Sequence, residues 1–309
     1  MPDSSTRNND LLYRGRFAPS PTGPLHAGSV MAALASYLDA KSNAGRWYVR
    51  IEDLDPPREI PGATDQILRT LDRLGLHWDG EIVFQSQRFA DYEMILDSLA
   101  SQSLAYYCTC SRGILAGGSD SAYPGYCRDR HLPRQAGAAI RCKVDNHPVT
   151  FTDRMQGSCT QQLETCIGDF VIKRKDGLHA YQLAVVVDDG WQQITHVVRG
   201  IDLLDSTPRQ IHLQGLLGLP TPSYAHIPVL INQHQQKISK QNLAQAVDAS
   251  APAKVLFQAL TYLQQQPDPS LVRADRNTVM EWGIAHWNPA RLAGIGQVPE
   301  IAASSPAAV

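Results

Sequence analysis

His26 closes a segment, Arg16-Phe17-Ala18-Pro19-Ser20-Pro21-Thr22-Gly23-Pro24-Leu25-His26, that neither a helix nor an interior strand can accommodate. Gly28-Ser29 then opens a helical pattern. Such a junction suits an anion, because the first N–H groups of a helix lack internal partners and sit at its positive dipole end. Pro and Gly set the backbone there, His26 adds a donor, and Gly28 leaves room for an adenine or ribose. A Pro-rich surface loop with a chance histidine has the same composition. Far downstream, Lys237-Ile238-Ser239-Lys240-Gln241 places two lysines three residues apart around a small polar residue. A loop of this kind can clamp a polyphosphate, and its charge counts most where negative charge develops in flight, as in phosphoryl or nucleotidyl transfer. Taken alone, a lysine pair is more often simply solvated.

A second group consists of sulfur ligands. Cys108, Cys110 and Cys127 fall within twenty residues, with Tyr123 four before the last. Three thiolates so spaced suit tetrahedral Zn²⁺, which needs a fourth ligand, and His131 competes for that place. Plain thiols are the alternative, and Cys142, Cys159 and Cys166 are assigned to it. Six cysteines in 309 residues do not make a disulfide scaffold.

These residues need elements to hold them. Tyr13–Ala18 reads as a strand, Val30, Met31, Leu34 and Leu38 as one face of a helix, and Trp47, Val49 and Ile51 as a second strand. Strand, loop, helix, strand is a βαβ unit and implies a parallel sheet. Helices follow around Ile67–Leu74 and Phe89–Leu99. From Tyr106 the texture turns to cysteines, Gly117-Gly118 and Tyr123-Pro124-Gly125, an inserted module reaching about Lys175. Regular pattern returns with Leu183–Val187, read as a buried strand, then Ile194–Val198, a helix near Thr207–Leu217 and a strand near Ala225–Ile231. Beyond Lys240 the chain reads as helical, with Val255, Leu256, Leu260 and Leu263 on one face. Residues 1–11 and the segment near Ile301–Val309 are expected to be loose.

The two lysine- and histidine-bearing segments, in this order, resemble the paired signatures of class I aminoacyl-tRNA synthetases. His26-Ala27-Gly28-Ser29 stands in place of the family's HIGH motif, and Lys237 to Gln241 in place of KMSKS. Ser29 replaces the second His and Gln241 the last Ser, while the first His and the second Lys are kept. Arg16 to Gly23, Arg50-Ile51-Glu52-Asp53, Val187-Asp188-Asp189 and Ile194-Thr195-His196-Val197-Val198-Arg199-Gly200 resemble the glutamyl branch. The resemblance covers roughly residues 13–245. The double proline of Asp55-Pro56-Pro57 is similar to a shortened branch of that family.

The resemblance implies an α/β fold: a doubly wound, Rossmann-like parallel sheet of the HIGH-type nucleotidyltransferases, split by an α+β zinc-bearing insert and followed by a small helical subdomain. The expected units are 12–105 and 181–242 for the two halves of the catalytic domain, 106–180 for the insert and 243–309 for the helical part. It implies catalytic roles for His26, Lys237 and Lys240, and ATP contacts from His26, Gly28, Ser29 and Lys240, with Mg²⁺ accompanying ATP. Glutamate contacts are implied for Arg16, Phe17, Ala18, Pro19, Ser20, Glu52, Tyr181 and Arg199. The chemistry suits the ligand, since two carboxylates and an ammonium call for an Arg fork and an acid. A structural zinc on Cys108, Cys110, Tyr123 and Cys127 is implied as well, with tyrosine oxygen completing the shell.

The shortened branch further implies activation of glutamate by ATP without tRNA, then its transfer to the queuosine base at the wobble position of tRNA(Asp). The stretch after Gln241 leaves room for one small helical subdomain, so an anticodon-reading domain is expected to be lacking. Three rivals stay open: a tRNA(Glu) ligase, a non-catalytic nucleotide- or tRNA-binding module, and a nucleotidyltransferase acting on a small molecule. Composition narrows the field. A formal charge of -2 excludes a chain that binds nucleic acid through overall basicity. No apolar run is long enough to span a bilayer, and the polar N-terminus lacks a signal-peptide pattern, so a cytoplasmic monomer without a membrane partner is expected.

Overall fold

The computed structural model describes residues 12–111, 122–238 and 245–301. The expectations for residues 1–11, Gly117-Gly118, Ser239, Lys240, Gln241 and the last eight positions fall outside them. In chain order the principal elements are β1 (Arg14–Phe17), α1 (Ala27–Ser42), β2 (Arg46–Ile51), α2 (Ala63–Arg73), β3 (Val83–Phe84), α3 (Phe89–Ser101), β4 (Ala105–Cys108), β5 (Ala139–Cys142), β6 (Pro148–Asp153), β7 (Gly157–Gln162) and β8 (Phe170–Lys173). They continue with α4 (Tyr181–Trp191), β9 (His196–Gly200), α5 (Thr207–Leu217), β10 (Ser223–Ile227), β11 (Val229–Ile231), α6 (Pro252–Tyr262), α7 (Arg276–His286) and β12 (Gln297–Pro299).

The βαβ expectation is met. β1 pairs parallel with β2, and β2 with β3. The second half of the sheet is the parallel pair β9 and β10. The halves meet where Thr195 donates its N–H to the Arg14 carbonyl (3.0 Å) and Arg14 donates its N–H to the Thr195 hydroxyl (2.8 Å). Trp47, Val49 and Ile51 are fully buried, as their alternation requires, and Leu34 and Leu38 of α1 pack into the same core. Between the halves lie an antiparallel sheet ordered β4–β5–β8 and the hairpin β6–β7.

Helices α6 and α7 do not build a core of their own. Leu256, Leu260, Val279 and Met280 join the core of α1 and β2. A Cβ on Gly283 would lie 3.2 Å from Leu38 Cδ2 and 3.4 Å from Leu260 Cδ2, so glycine is what lets these helices cross closely. Val229–Ile231 forms a parallel pair with Gln297–Pro299, tying the end of the described chain back to the sheet.

The expected strand at Leu183–Val187 is a correction. These residues lie within helix α4, where every residue from Gln182 to Asp189 is buried. A continuous apolar run carries no period that separates a buried strand from a helix buried all round. Burial from several sides overrides the modest β preference of three consecutive valines.

Candidate active site

The carboxyl ends of β1, β2 and β9 open onto one cavity of about 550 Å³. Such a position is where open parallel α/β sheets receive ligands. Its walls include Arg16, Phe17, Ala18, Ser20, Glu52, Tyr181 and Arg199. Seven of the eight residues expected to meet glutamate are thus brought together from strand ends and one helix start. Pro19 is not among the walls; its carbonyl accepts the Glu52 N–H at 3.0 Å, which fastens the proline loop to the end of β2.

Arg16 and Glu52 lead from the cavity wall into a buried ion network. Arg16 Nε and Nη2 donate to the two oxygens of Asp189 at 3.2 and 3.1 Å. Arg50, fully buried, donates from Nη1 to Asp189 Oδ1 and Gln192 Oε1, both at 2.7 Å, and from Nη2 to Glu52 Oε1 at 3.3 Å. Burial works to raise the Asp189 carboxyl, but Arg16 and Arg50 outweigh it and hold the group below the usual carboxylate range. Glu52 has the opposite outcome: burial raises its carboxyl despite the nearby arginines. An ammonium entering the cavity would add to the positive charge that Arg50 already brings to this carboxylate. Deeper in the same network, Asp188 accepts from Gln85 (2.7 Å), Arg88 (2.6 Å) and Tyr92 (2.7 Å).

Arg199 reaches the opposite wall. Its Nη1 lies 3.4 Å from the Tyr181 hydroxyl, its Nη2 donates to Thr207 Oγ1 at 2.7 Å, and its Nε donates to His226 Nε2 at 3.0 Å. The rim carries Asp55, whose Oδ2 is shared by Arg58 (2.6 Å) and Arg174 (3.2 Å). His179 also lines the cavity, bonded through Nε2 to Glu93 at 2.7 Å.

His26 is the N-cap of α1, accepting the Ser29 N–H at Nδ1 (3.3 Å). Ser29 therefore gives its N–H to the histidine ring, Ala27 takes part in the antiparallel bridge between His26 and Ala246, and the helix start keeps Gly28 as the N–H group for an anion. His26, Gly28 and Ser29 are not among the walls of the main cavity; they stand at the α1 end of the β1-to-α1 junction whose Arg16–Ser20 end lines it. A Cβ on Gly28 would lie 3.1 Å from His26 Cε1 and 3.8 Å from the Ile238 carbonyl, so the two signature loops adjoin each other. Lys237 is exposed and ion-paired with Asp202 at 2.6 Å. Lys240 lies outside the described residues.

The sulfur ligands converge. The Sγ atoms of Cys108, Cys110 and Cys127 lie within 4.8 Å of one another, and all three residues are buried. The Tyr123 hydroxyl stands 3.4 Å from Cys108 Sγ and 3.5 Å from Cys110 Sγ. Zinc–sulfur bonds of about 2.3 Å put tetrahedral thiolates roughly 3.7 Å apart, so the set fits a zinc ion. Burial works to raise the Cys127 thiol, but hydrogen bonds involving the Thr109 backbone, Cys110, Tyr123 and Cys108 bring it down to about 7. Arg141 adds positive charge, with Nε 3.3 Å from Cys108 Sγ and its guanidinium 3.6 Å above the Tyr123 ring. His131 does not join the converging set. Cys142 is buried in the hydrophobic cluster around β5, Cys159 is half-buried and Cys166 exposed.

Several residues of this site have roles that their sequence context does not reveal. Asp188 and Asp189 stand out in the sequence only as part of a motif. In a strand, neighbouring residues would point to opposite faces; the helix turns both inward. Arg50 does carry a signal, since an arginine inside a core strand needs a buried acid. Asp153, His179 and His226 offer no local signal at all.

The model for tRNA synthetases class I (E and Q), catalytic domain, matches residues 13–260. The chain is 51% identical over 292 residues to a Pseudomonas entomophila protein named glutamyl-Q tRNA(Asp) synthetase, covering 94% of this chain and 98% of that one. A protein of the same name from Ectopseudomonas mendocina is 53% identical, covering 92% and 96%. Among solved structures, a glutamate tRNA ligase from Elizabethkingia meningosepticum in complex with its amino acid superposes with a TM-score of 0.77 at 24% identity. That superposition covers 92% of this chain and 66% of the ligase. A glutamate-tRNA synthetase from Elizabethkingia anophelis gives 0.78 at 23%, covering 93% and 68%. Among the described residues no helix is long and apolar enough to cross a membrane.

Proposed function

Because this chain belongs to the class I tRNA synthetases of the E and Q type, and is thus a ligase of the aminoacyl-tRNA synthetase family, we propose that it joins glutamate to AMP without tRNA and then passes the glutamyl group to the queuosine base of tRNA(Asp). The observation that carries this reading is the shared cavity walled by Arg16, Glu52, Tyr181 and Arg199 beside the His26 helix start. The relatives' name, glutamyl-Q tRNA(Asp) synthetase, supports the acceptor.

In this mechanism Arg199 and Tyr181 hold the side-chain carboxylate of glutamate and Glu52 holds its ammonium. Asp189 keeps Arg16 in place, and the remaining donors of Arg16 face the ligand. The α-carboxylate attacks the α-phosphorus of ATP in line, and pyrophosphate leaves. No protein nucleophile is required; catalysis is positioning and charge stabilisation. His26 caps its own helix through Nδ1, and its ring meets phosphate alongside the Gly28 N–H group. Lys240 meets charge on the leaving group, and Lys237 exchanges Asp202 for phosphate. Mg²⁺ accompanying ATP would supply further charge neutralisation at its phosphates. A hydroxyl of the cyclopentene ring of queuosine then attacks the mixed anhydride and releases AMP. Cys108, Cys110, Tyr123 and Cys127 would hold zinc, which would supply a cross-link between the loops of the insert.

The test is glutamate-dependent pyrophosphate exchange without tRNA, followed by transfer of labelled glutamate onto tRNA(Asp) with and without queuosine. Exchange with glutamate, loss of about 10²–10³-fold in Lys240→Ala, and label confined to the queuosine-bearing tRNA are expected. Charging of tRNA(Glu) instead would overturn the acceptor, and exchange with no amino acid would overturn the reaction.

A further inference from the structure

The guanidinium of Arg199 has five N–H donors and no acceptor. Any nitrogen that receives its Nε–H must therefore offer a lone pair. That nitrogen is His226 Nε2, at 3.0 Å. The other ring nitrogen, Nδ1, lies 2.6 Å from Asp153 Oδ2. Both His226 and Asp153 are buried, with side-chain exposure of 0% each. Neither is among the walls of the cavity.

We infer that Asp153 and His226 are positioning residues for Arg199: Asp153 fixes the Nδ1–H tautomer of His226, and this tautomer turns the arginine toward the side-chain carboxylate of the amino acid. The inference rests on the reading of Arg199 as that carboxylate's anchor.

Asp153 is itself rigidly held. Its Oδ1 accepts the N–H groups of Met155 (3.0 Å), Gln156 (2.9 Å) and His226 (3.1 Å), leaving Oδ2 for the imidazole. The carboxylate thus closes the β6–β7 turn and anchors β10 at once. On the far side of His226, Thr207 Oγ1 accepts from Arg199 Nη2 at 2.7 Å and lies 3.3 Å from His226 Nε2. With Nε held by the imidazole and Nη2 by Thr207, the guanidinium plane is fixed. Its Nη1 end, beside Tyr181, keeps a donor for the ligand. The hairpin inserted between the halves of the sheet thereby reaches the amino-acid pocket through two side chains.

The chemistry predicts an asymmetric response. In Asp153→Asn the Oδ1 contacts survive, but an amide NH₂ replaces the oxygen that received Nδ1–H. His226 then accepts at Nδ1 and carries its proton on Nε2, where it opposes the Arg199 Nε–H. A wrong tautomer of this kind disables a site whose shape is unchanged. In His226→Gln the amide oxygen can still accept from Arg199 and part of the function should be kept.

The experiment is pyrophosphate exchange with the full chain, with separate KM values for glutamate and ATP, alongside long-range ¹H–¹⁵N correlation of the imidazole. The wild type should show His226 protonated at Nδ1 only. Asp153→Asn should show it at Nε2, with the glutamate KM raised about tenfold or more and the ATP KM within about twofold. His226→Gln should fall between. A wild-type imidazole protonated at Nε2 would overturn the inference, even if Asp153→Asn does not fold. So would a folded Asp153→Asn with an unchanged glutamate KM, or one whose two KM values rise together. If the wild type activates no glutamate, the proposed function fails, and the tautomer measurement still decides whether Asp153 and His226 orient Arg199.

Discussion

Asp189 grips Arg16 with both carboxylate oxygens, at 3.2 and 3.1 Å, across 173 residues of sequence. The same carboxylate also receives Arg50 at 2.7 Å, so one acid from α4 joins two arginines of the sheet, one in the cavity wall and one buried behind it. The pocket's positive groups are therefore fixed before any ligand arrives, and that preorganisation is a source of both affinity and rate.

Removing that acid should be costly. Asp189→Ala leaves two buried guanidinium groups without their common partner, and a loss of about 3–5 kcal/mol is expected. Urea unfolding followed by tryptophan fluorescence measures it. An unchanged midpoint would mean that the network contributes nothing to the fold.

Gly28→Ala separates stability from function. Alanine is the better helix former by roughly 1 kcal/mol, which offsets a weakened His26 cap of about the same worth, so the melting temperature should stay near that of the wild type. Its methyl group, however, would sit 3.1 Å from His26 Cε1 and 3.2 Å from His26 Nδ1. The ring must move, and pyrophosphate exchange should drop about ten- to hundredfold. Parallel losses of melting temperature and activity would contradict this.

The thiol cluster should carry one zinc ion per chain, measurable by plasma mass spectrometry on protein purified without chelator. Cys110→Ala or Cys127→Ala should abolish it and lower the melting temperature, because the insert would lose the ion that joins its loops. Tyr123→Phe keeps three thiolates and should hold zinc more weakly than the wild type. Metal-free protein with three freely titrating buried thiols would exclude the site.

Acid should weaken the fold well before its carboxylates titrate. Burial lowers His226 and His179 below their ordinary 6.5, and burial together with Arg154 lowers His196. Between those lowered values and pH 6.5 the unfolded chain binds protons that the native one does not. Stability therefore rises with pH through this window and is lost as pH falls below 6.5, by up to about 1.4 kcal/mol per pH unit for each histidine. Glu52 and Glu59, both raised by burial, work the other way nearer pH 4.5, two groups against three. Urea midpoints at pH 7.5, 6.5 and 5.5 should decline in that order; a flat profile would show that the three rings are not held neutral.

Much of this molecule was readable from its residues alone. The proline loop, His26 and the following helix are local: Pro and Gly forbid regular structure, and the period of Val30 to Leu38 demands a helix. The alternation of Trp47, Val49 and Ile51 likewise set the second strand, and the spacing of Cys108, Cys110 and Cys127 set the sulfur cluster. What the tertiary structure decided is of another kind. Whether Leu183–Val187 is strand or helix depends on what surrounds it, since a run buried on every side has no exposed face to mark its period. The pairings Arg16–Asp189 and Asp153–His226–Arg199 join residues brought close by the packing of α4 and the alignment of β6 with β10. A charge in a sequence states that a partner is needed; only the folded chain, by placing one acid within hydrogen-bonding distance, states which.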